Sequence, residues 1–357
     1  MTPLDGNAVV YCDGAFNTPN GKTAHGLVRF TRRYRVCAVI DRRYAGQDAG
    51  EVLDRRSRGI PVVASLEDAL STAEKAGTPA GSLVIGIAPD GGRIDEGMRT
   101  CIREALRRGL NVDSGLHDFV SDDVELMALA AESGARVRDI RKPPARSELH
   151  FFSGKIEEVD SYTVAVLGTD SAVGKRTTAW LIVQELERRG RSVQMIGTGQ
   201  TAWMQGARYS FVLDSLINDF VAGEIEHAVW SAWRDERPEF IILEGQGSLM
   251  NPAYPGGFEL LAAGRPQSVV MQHAPNRVEY DGFPGYPLHP LTQQIDVMQR
   301  LSGKPVLAVT VNHEGIPPDR IAAVCEEVSR DCGLPAFDVL EFGAAGLVDL
   351  LIEAKDG

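Results

Sequence analysis

The sequence predicts an α/β protein with two domains, each built around a mainly parallel sheet. Short apolar runs alternate with amphipathic segments of helical periodicity along almost the whole chain, which is typical of strand–helix–strand units. The 357 residues are about the length of two ordinary domains. A glycine-rich turn at Gly168–Thr178, GTDSAVGKRTT, joins an apolar run to a helical one and marks the start of the second sheet.

Composition and charge exclude several classes of protein. The formal net charge of −12 argues against general binding of nucleic acid or membrane surfaces, because phosphate polymers and anionic lipids would be repelled. No apolar run approaches membrane-spanning length and the N-terminus lacks a basic region followed by a hydrophobic one, so we expect a cytoplasmic protein. The five cysteines are scattered and the histidines show no ligand spacing, which predicts reduced thiols and no structural metal.

Residues 1–145 are predicted to form a Rossmann-like domain, because strands and helices alternate there. Two of its helices have clear boundaries. Ser65 and Asp68 form a capping-box start, and a helix from about Asp95 to Arg108 closes at Gly109. Strands are expected at residues 8–11, 36–40, 61–63, 83–87, 110–112 and 136–140.

The sequence leaves open whether this first domain binds a ligand. The turn after its first strand contains Gly14, Gly21 and Gly26, but not the G-x-G-x-x-G spacing of a dinucleotide site. Asp41, after the second strand, has the position of a ribose-binding carboxylate. A loop packed against the second domain explains the same residues equally well.

Residues 146–357 are predicted to form the second domain, after a linker at Arg141–Gly154 that fits neither the helical nor the strand period. Because the carboxyl ends of parallel strands lie at one edge of a sheet, the loops that follow them should gather beside the glycine-rich turn. The strands are expected at residues 163–167, 193–196, 240–243, 268–271 and 306–311.

The turn after the first of these strands has the layout of a phosphate-binding loop (P-loop). Its backbone N–H groups can surround an anion, the following helix adds the positive end of its dipole, and Lys175 adds a full charge. The alternative is a glycine-rich strand-to-helix turn without a ligand. The predicted cofactor-binding residues of this loop are Gly168, Thr169, Asp170, Ser171, Ala172, Val173, Gly174, Lys175, Arg176 and Thr177.

This loop differs from the common form in two places. Five residues rather than four separate Gly168 from Gly174, and Arg176 stands where a Ser or Thr hydroxyl usually holds Mg²⁺. Phosphate binding tolerates that change better than metal-dependent phosphoryl transfer does, although Thr177 or Thr178 can still reach a metal. The sequence therefore favours a phosphate-containing ligand held without a metal.

Three acidic or basic side chains are candidates for catalysis. Glu244 ends an apolar strand, where P-loop proteins keep a metal-binding or water-orienting acid, and it can instead cap the amides that follow it. His273 can remove a proton from an amine or an alcohol, or can simply bond to the backbone of its loop. Asp214 and Asp219 lie five residues apart on a predicted helix, and of the two Asp214 is the candidate for the site.

Other side chains and amides in these loops are candidates for holding a ligand. Arg208 and Arg277 can each pair a carboxylate in bidentate fashion, with a surface position as the alternative. Asn312 occupies the place where nucleotide-binding proteins of this kind meet the base, or it caps the next helix. The remaining predicted substrate-binding residues are Gln200, Gly245, Gln246, Gly247 and Ser248.

Several motifs together resemble a known family. GTDSAVGK and EGQGS are similar to motifs of dethiobiotin synthetase, whose phosphate loop also has five residues before Gly-Lys, which implies a dethiobiotin-synthetase-like P-loop fold for the second domain. A larger set of motifs resembles the DgcN-type D-glutamate N-acetyltransferase family, formerly a domain of unknown function, over almost the whole chain. These motifs are GKTAHGLVR, GTDSAVGKRTTA, GTGQTAWMQG, DFVAGEIE, EGQGSLMNPAY and HAPNR.

The resemblance implies transfer of the acetyl group of acetyl-CoA to the amine of an acidic amino acid, with D-glutamate as the family's substrate. Gly168, Gly174, Lys175 and Thr177 would then hold the pyrophosphate of coenzyme A. Arg176 in place of the metal-holding hydroxyl agrees with this, because coenzyme A needs charge neutralisation but no phosphoryl transfer.

The same resemblance implies roles for the other loops. His273 or Glu244 would be the base, and the amides of Gly245–Ser248 would stabilise the oxyanion. Arg208 and Arg277 would anchor the two carboxylates of the substrate. No cysteine lies in these loops, which favours direct transfer over a thioester relay on the enzyme.

Two other functions fit the sequence. An ATP- and Mg²⁺-dependent ligase or carboxylate kinase of dethiobiotin-synthetase type would form ADP. A nucleotide- or cofactor-sensing protein would bind its ligand tightly without turnover. In each case the partner is a small molecule, and the sequence is also compatible with a homo-oligomer.

Overall fold

The computed structural model describes residues 3–357 except for the side chain of Asp90. Backbone contacts divide the chain into two units. The first holds the chain up to Pro144 together with Gln200–Ala207, and the second holds Ala145–Gly199 and Arg208–Gly357. Each unit contains one parallel sheet, which confirms the predicted α/β class. Within the described residues, no helix combines the length and the apolar character needed to cross a membrane.

The first unit contains six strands, which are β1 (Asn7–Tyr11), β2 (Arg35–Ile40), β3 (Val62–Val63), β4 (Ser82–Ile85), β5 (Asn111–Ser114) and β6 (Val137–Asp139). Its helices before Pro144 are α1 (Lys22–Arg29), α2 (Ala49–Asp54), α3 (Leu66–Lys75), α4 (Glu96–Arg107) and α5 (Val124–Ser133). The sheet order β3-β2-β1-β4-β5-β6 is that of a Rossmann fold. Each of the helices α2 to α5 begins after a residue whose side chain accepts a hydrogen bond from an N–H of the first turn. These capping residues are Asp48, Ser65, Asp95 and Asp123.

Asp41 holds the turn that follows β1. Its carboxylate is buried and accepts the backbone N–H of Phe16 at 2.9 Å. It also accepts the backbone N–H of Arg43 at 2.9 Å and forms an ion pair with the guanidinium of the same residue. The carboxylate of Asp41 thus binds protein groups of the loop, although Asp41 has the sequence position of a ribose-binding residue.

The segment Gln200–Ala207 belongs to the first unit by its contacts, whereas a single boundary at residue 145 placed it in the second domain. The hydroxyls of Thr201 and Thr23 lie 2.8 Å apart. The guanidinium of Arg33 lies 3.7 Å from the centroid of the Trp203 ring and donates to the Trp203 carbonyl. Hydrogen bonds and ring stacking of this kind depend on tertiary packing, so no local pattern predicts them.

The second unit contains seven strands, which are β7 (Tyr162–Gly168), β8 (Val193–Gly197), β9 (Tyr209–Ser210), β10 (Phe240–Glu244), β11 (Ser268–His273), β12 (Val306–Val311) and β13 (Ala336–Phe337). The remaining helices of the chain are α6 (Lys175–Arg188), α7 (Gln200–Gln205), α8 (Asn218–Glu236), α9 (Phe258–Gly264), α10 (Leu291–Ser302), α11 (Ile321–Cys332), α12 (Val339–Phe342) and α13 (Ala345–Asp356). All of these helices except α7 belong to the second unit.

The order of the second sheet is β13-β12-β11-β7-β10-β8-β9, so β7 lies between β11 and β10. Gly168 pairs with Gln272 of β11, and Val166 pairs with Glu244 of β10. The loops after β7, β10 and β11 therefore leave the sheet side by side, as predicted from the parallel arrangement. The edge strands β9 and β13 have two residues each, too few for a period-two pattern to show in the sequence.

The predicted linker packs against the DFVAGEIE motif at the start of α8. The chain passes so close to α8 that a Cβ at Gly223 would lie 1.9 Å from the carbonyl oxygen of His150. The carboxylate of Glu224 accepts the N–H of His150 at 2.7 Å, and that of Glu226 accepts the N–H of Ser153 at 2.6 Å. The glycine permits the approach and the two carboxylates satisfy the backbone of the linker.

Candidate phosphate-binding and active site

The loop between β7 and α6 presents a row of backbone N–H groups. Within the described part of the chain, the N–H groups of Ala172, Val173 and Gly174 donate to no acceptor. Ala172 and Gly174 are in the left-handed region, with φ of 53° and 109°. Successive amides in such a turn, at the start of a helix, form an anion-binding concavity. The geometry of a phosphate loop is therefore present.

Lys175, the first residue of α6, connects this loop with the loop after β10. Its side chain is only 6% exposed, and its Nζ donates to the carbonyl oxygens of Asp170 and Gly247, both at 2.7 Å. The positive charge is thus held beside the three amides, where it can face the same anion.

The carboxylate of Asp170 joins three loops. It is 0% exposed and accepts hydrogen bonds from the N–H of Ser171 at 2.7 Å, the amide of Asn251 at 2.9 Å, the guanidinium of Arg277 at 3.1 Å and the N–H of Asp281 at 2.8 Å. Asp170 was predicted to bind cofactor with the rest of its loop. The structure directs its carboxylate at protein groups instead, because an unpaired charge could not be buried there.

Arg277 and Asn312 both brace the phosphate loop from the β11 and β12 side. Arg277 donates to the carbonyl oxygen of Ser171 at 2.7 Å and forms an ion pair with Glu314 at 2.8 Å. The amide of Asn312 donates to the carbonyl oxygen of Val173 at 2.9 Å. The structure thus brings both predicted residues to the loop, where these hydrogen bonds are made to protein groups.

Glu244 ends β10 beside the start of α6. Its buried carboxylate accepts the N–H of Thr198 at 3.0 Å. Burial raises the pKa of this carboxyl, while the positive charges of Arg176 and Lys175 act in the opposite direction on the same pKa. Arg176 therefore places positive charge near the acid, where a metal-dependent phosphate loop would place Mg²⁺.

His273 lies at the end of β11, next to the phosphate-loop strand. Its Nδ1 is 3.1 Å from the hydroxyl of Thr169, with the donor role set by the tautomer. Burial lowers the pKa of His273 to about 4, so its imidazole is neutral at neutral pH. In that form one ring nitrogen is able to accept a proton.

The loop after β10 offers fewer amides than predicted. The N–H groups of Gly245 and Ser248 donate to other backbone carbonyls, in the case of Ser248 to that of Tyr254 at 3.3 Å. Among the described residues, the N–H groups of Gln246 and Gly247 have no acceptor, and the buried hydroxyl of Ser248 has no partner. Because buried polar groups are normally satisfied, these three groups are available to a ligand.

Comparison with known families agrees with this architecture. Residues 42–143 match the Rossmann-like N-terminal domain of DUF1611, a domain of unknown function, and residues 150–348 match its P-loop domain. The chain belongs to the DUF1611 family. The predicted order, a Rossmann-like domain followed by a P-loop domain, is therefore confirmed, as is the predicted family resemblance.

Relatives within and near the DUF1611 family cover most of the chain. The crystal structure of a DUF1611 family protein from Anabaena variabilis ATCC 29413 matches with a TM-score of 0.88 at 29% identity, covering 98% of this chain and 99% of that chain. A protein of Tritonibacter scottomollicae named D-glutamate N-acetyltransferase is 32% identical over 291 residues, which are 80% of this chain and 84% of that protein. A protein of the same name from a Pseudoalteromonas species is 29% identical over 284 residues, which are 78% of this chain and 83% of that protein.

Three residues predicted for the site of this DUF1611 protein have other surroundings in the structure. Arg208 precedes β9, is exposed and forms an ion pair with Glu236 at the end of α8. Asp214 is exposed on a single 3-10 turn, so the prediction of one helix for Asp214 and Asp219 is wrong. Gln200 is buried and groups with the first unit by its contacts.

Four residues that build the site were not predicted from the sequence. Asn251 and the backbone of Asp281 bind the carboxylate of Asp170, as described above. Gln272 accepts the hydroxyls of Thr178 and Thr310, which fixes α6 to β11 and β12. A second histidine at this edge, His313, has its Nδ1 2.5 Å from the carboxylate of Asp338. Their positions at or just after strand ends were the available signal.

We expect the free energy of unfolding to decrease as the pH falls from about 6.5 to about 4, and the His273→Asn variant to lose part of this decrease. Burial holds the folded pKa of His273 at about 4, below its ordinary value of 6.5. Between these values the unfolded chain binds a proton that the folded chain does not, so stability rises with pH across this window and levels above it. Urea unfolding across the window measures the effect.

His117→Asn is the matched control for the substitution itself, because His117 is exposed and lies outside the loops of the site. Parallel curves for wild type and His273→Asn would show that the imidazole of His273 is hydrated, contrary to its partly buried position in the structure.

Proposed function

We propose that this DUF1611 protein is an amino-acid N-acetyltransferase with acetyl-CoA as donor and D-glutamate as acceptor. The observation that carries the proposal is the row of amides at Ala172, Val173 and Gly174 without acceptors, with Lys175 beside it. Such a loop suits a pyrophosphate, and coenzyme A contains one. The two relatives named D-glutamate N-acetyltransferase support the choice of reaction and substrate.

Arg176 supports binding of a cofactor over phosphoryl transfer. A metal-dependent phosphate loop needs a hydroxyl at this position and an acid at the end of a neighbouring strand to hold Mg²⁺. Here the acid is Glu244, and the neighbouring cations are Arg176 and Lys175. The protein itself therefore supplies the positive charge that phosphates require, and the acetyl transfer is expected to proceed without Mg²⁺.

In the proposed reaction the amine nitrogen of the amino acid attacks the thioester carbon. A C–N bond forms, the C–S bond breaks, and coenzyme A leaves as the thiol. The proton lost by the amine passes to a base, for which the neutral imidazole of His273 and the carboxylate of Glu244 are the candidates. The N–H groups of Gln246 and Gly247 and the hydroxyl of Ser248 are the candidate donors to the oxyanion.

The direct test is release of free thiol from acetyl-CoA by the purified protein with D-glutamate. We expect turnover that continues in the presence of a metal chelator, since Arg176 stands in the place of the metal-holding hydroxyl. L-glutamate and D- and L-aspartate serve as comparison substrates. Silence across all of these acidic amino acids would contradict the proposal, and Mg²⁺-dependent release of ADP from ATP would support the ligase alternative instead.

A further inference from the structure

The chain between β11 and α10 forms a short hairpin, which we call the flap and define as residues 278–288. The N–H of Tyr280 donates to the carbonyl oxygen of Tyr286 at 3.0 Å, and the N–H of Leu288 donates to that of Val278 at 2.9 Å. An antiparallel bridge joins Glu279 and Pro287. The flap thus has a paired stem and a tip at Gly282–Gly285.

The base of the flap is attached to the phosphate loop. The N–H of Asp281 donates to the carboxylate of Asp170 at 2.8 Å, and Arg277 binds the same carboxylate. Phe283 follows Asp281 by two residues, so their Cα atoms are at most about 8 Å apart. The tip of the flap is therefore tethered close to the phosphate loop.

At the tip and directly after it, the flap carries two aromatic side chains that do not serve the core. Phe283 is 36% exposed and Tyr286 is 56% exposed, with their ring centroids 6.3 Å apart in an edge-to-face arrangement. Gly282 and Gly285 have φ of 79° and 84°, a conformation that other residues adopt only with strain. By contrast, Tyr280 in the stem is buried, and its hydroxyl lies 2.7 Å from Nδ1 of His289.

The order of the strands places this tip on one side of the phosphate loop. Because β7 lies between β11 and β10, the flap is on the β11 side and the loop Gly245–Ser248 is on the β10 side. A ligand with a central pyrophosphate in the phosphate loop can extend one end toward each side. Coenzyme A has this form, with its thioester at one end of the pyrophosphate and its adenine at the other.

We propose that the side chains of Phe283 and Tyr286 form the subsite for the purine ring of the cofactor and pack against the base. This inference rests on the proposed function for the identity of the cofactor. Aromatic side chains bind bases through stacking and apolar contact, which tolerate differences in the rest of the nucleotide. The reactive end of the cofactor is then directed to the loop Gly245–Ser248.

The test compares ligands with and without adenine in the Phe283→Ala/Tyr286→Ala double variant. We expect the affinity for coenzyme A and for ADP, measured by calorimetry, to fall by about tenfold or more, as for loss of a base-stacking platform. Affinity for inorganic pyrophosphate, which lacks the base, should stay at the wild-type value. Circular dichroism and the thermal midpoint check that the variant is folded.

Two control variants separate stacking from damage to the loop. Val278→Ala removes another exposed apolar side chain from the flap and should leave all three affinities unchanged, because Val278 is in the stem and 77% exposed. Phe283→Tyr/Tyr286→Phe keeps both rings and should retain the affinity for coenzyme A within about twofold, since stacking depends on the ring face.

Several results would overturn the subsite. Equal losses for coenzyme A and pyrophosphate would assign the aromatic pair to support of the phosphate loop. Wild-type affinity for ADP and coenzyme A in the double variant, or no binding of either by the wild type, would also refute it. The wild-type protein could fail to transfer acetyl groups while the double variant selectively loses affinity for adenine ligands. That combination would refute the proposed function and leave the subsite standing.

Discussion

Replacing Lys175 with alanine is expected to weaken binding of coenzyme A by about 100-fold while leaving the fold intact. Truncating a buried cation that faces a phosphate costs about 3 kcal/mol, and each 1.4 kcal/mol is about a factor of ten in affinity. Two acceptors of its Nζ, the carbonyl oxygens of Asp170 and Gly247, belong to loops that have further hydrogen bonds of their own. Those loops should therefore keep their conformation in the variant.

Calorimetric titration with coenzyme A and with ATP measures this effect. Lys304→Ala is the matched control, because Lys304 is exposed and lies outside the loops of the site. Affinities for both ligands that equal the wild-type values would be incompatible with a phosphate site at the start of α6.

Replacing Asp170 with alanine is expected to lower the free energy of unfolding by about 3–5 kcal/mol, the usual consequence of removing one partner of a buried ion pair. The variant would leave Arg277 beside the loop without its buried carboxylate, and Asn251 and the N–H of Asp281 without their acceptor. The loops after β10 and β11 would lose their common attachment to the phosphate loop. Affinity for coenzyme A should fall together with stability.

Urea unfolding and limited proteolysis within residues 275–289 test this prediction. Asp170→Asn retains a side-chain acceptor and should lose less stability than Asp170→Ala. The control is Asp296→Ala, which breaks the exposed ion pair with Arg300 on α10 and should change stability by less than about 1 kcal/mol. An Asp170→Ala variant as stable and as resistant to protease as the control would mean that the three loops are held by other contacts.

The general architecture was predictable because it depends on patterns that are local in the sequence. The strand before Gly168 and the helix after it were both located correctly, since an apolar run, glycines and a helical period meet there. The phosphate loop was predicted from the same stretch of sequence. Its two departures from the common form, the extra residue and Arg176, are likewise apparent from residue type and spacing alone.

The side-chain roles within the site were less predictable. Arg277 was expected to bind a substrate carboxylate and instead pairs with Asp170, a residue more than a hundred positions earlier. Arg208 was expected in the same role and pairs with Glu236 at the end of α8. A guanidinium binds any well-placed carboxylate with similar geometry, so the residue type alone does not tell a ligand from a neighbouring loop.

The sequence by itself determined the two parallel-sheet domains, the position of the phosphate loop and the arginine where the common form has a hydroxyl, because periodicity, glycine spacing and residue type are properties of short segments. Only the tertiary structure decided that Gln200–Ala207 packs with the first unit, that Asp170 joins three loops and that the flap is tied to one of them. Such contacts link residues that are distant in the chain. A buried charge needs a partner, but the fold decides which residue lies close enough to be that partner.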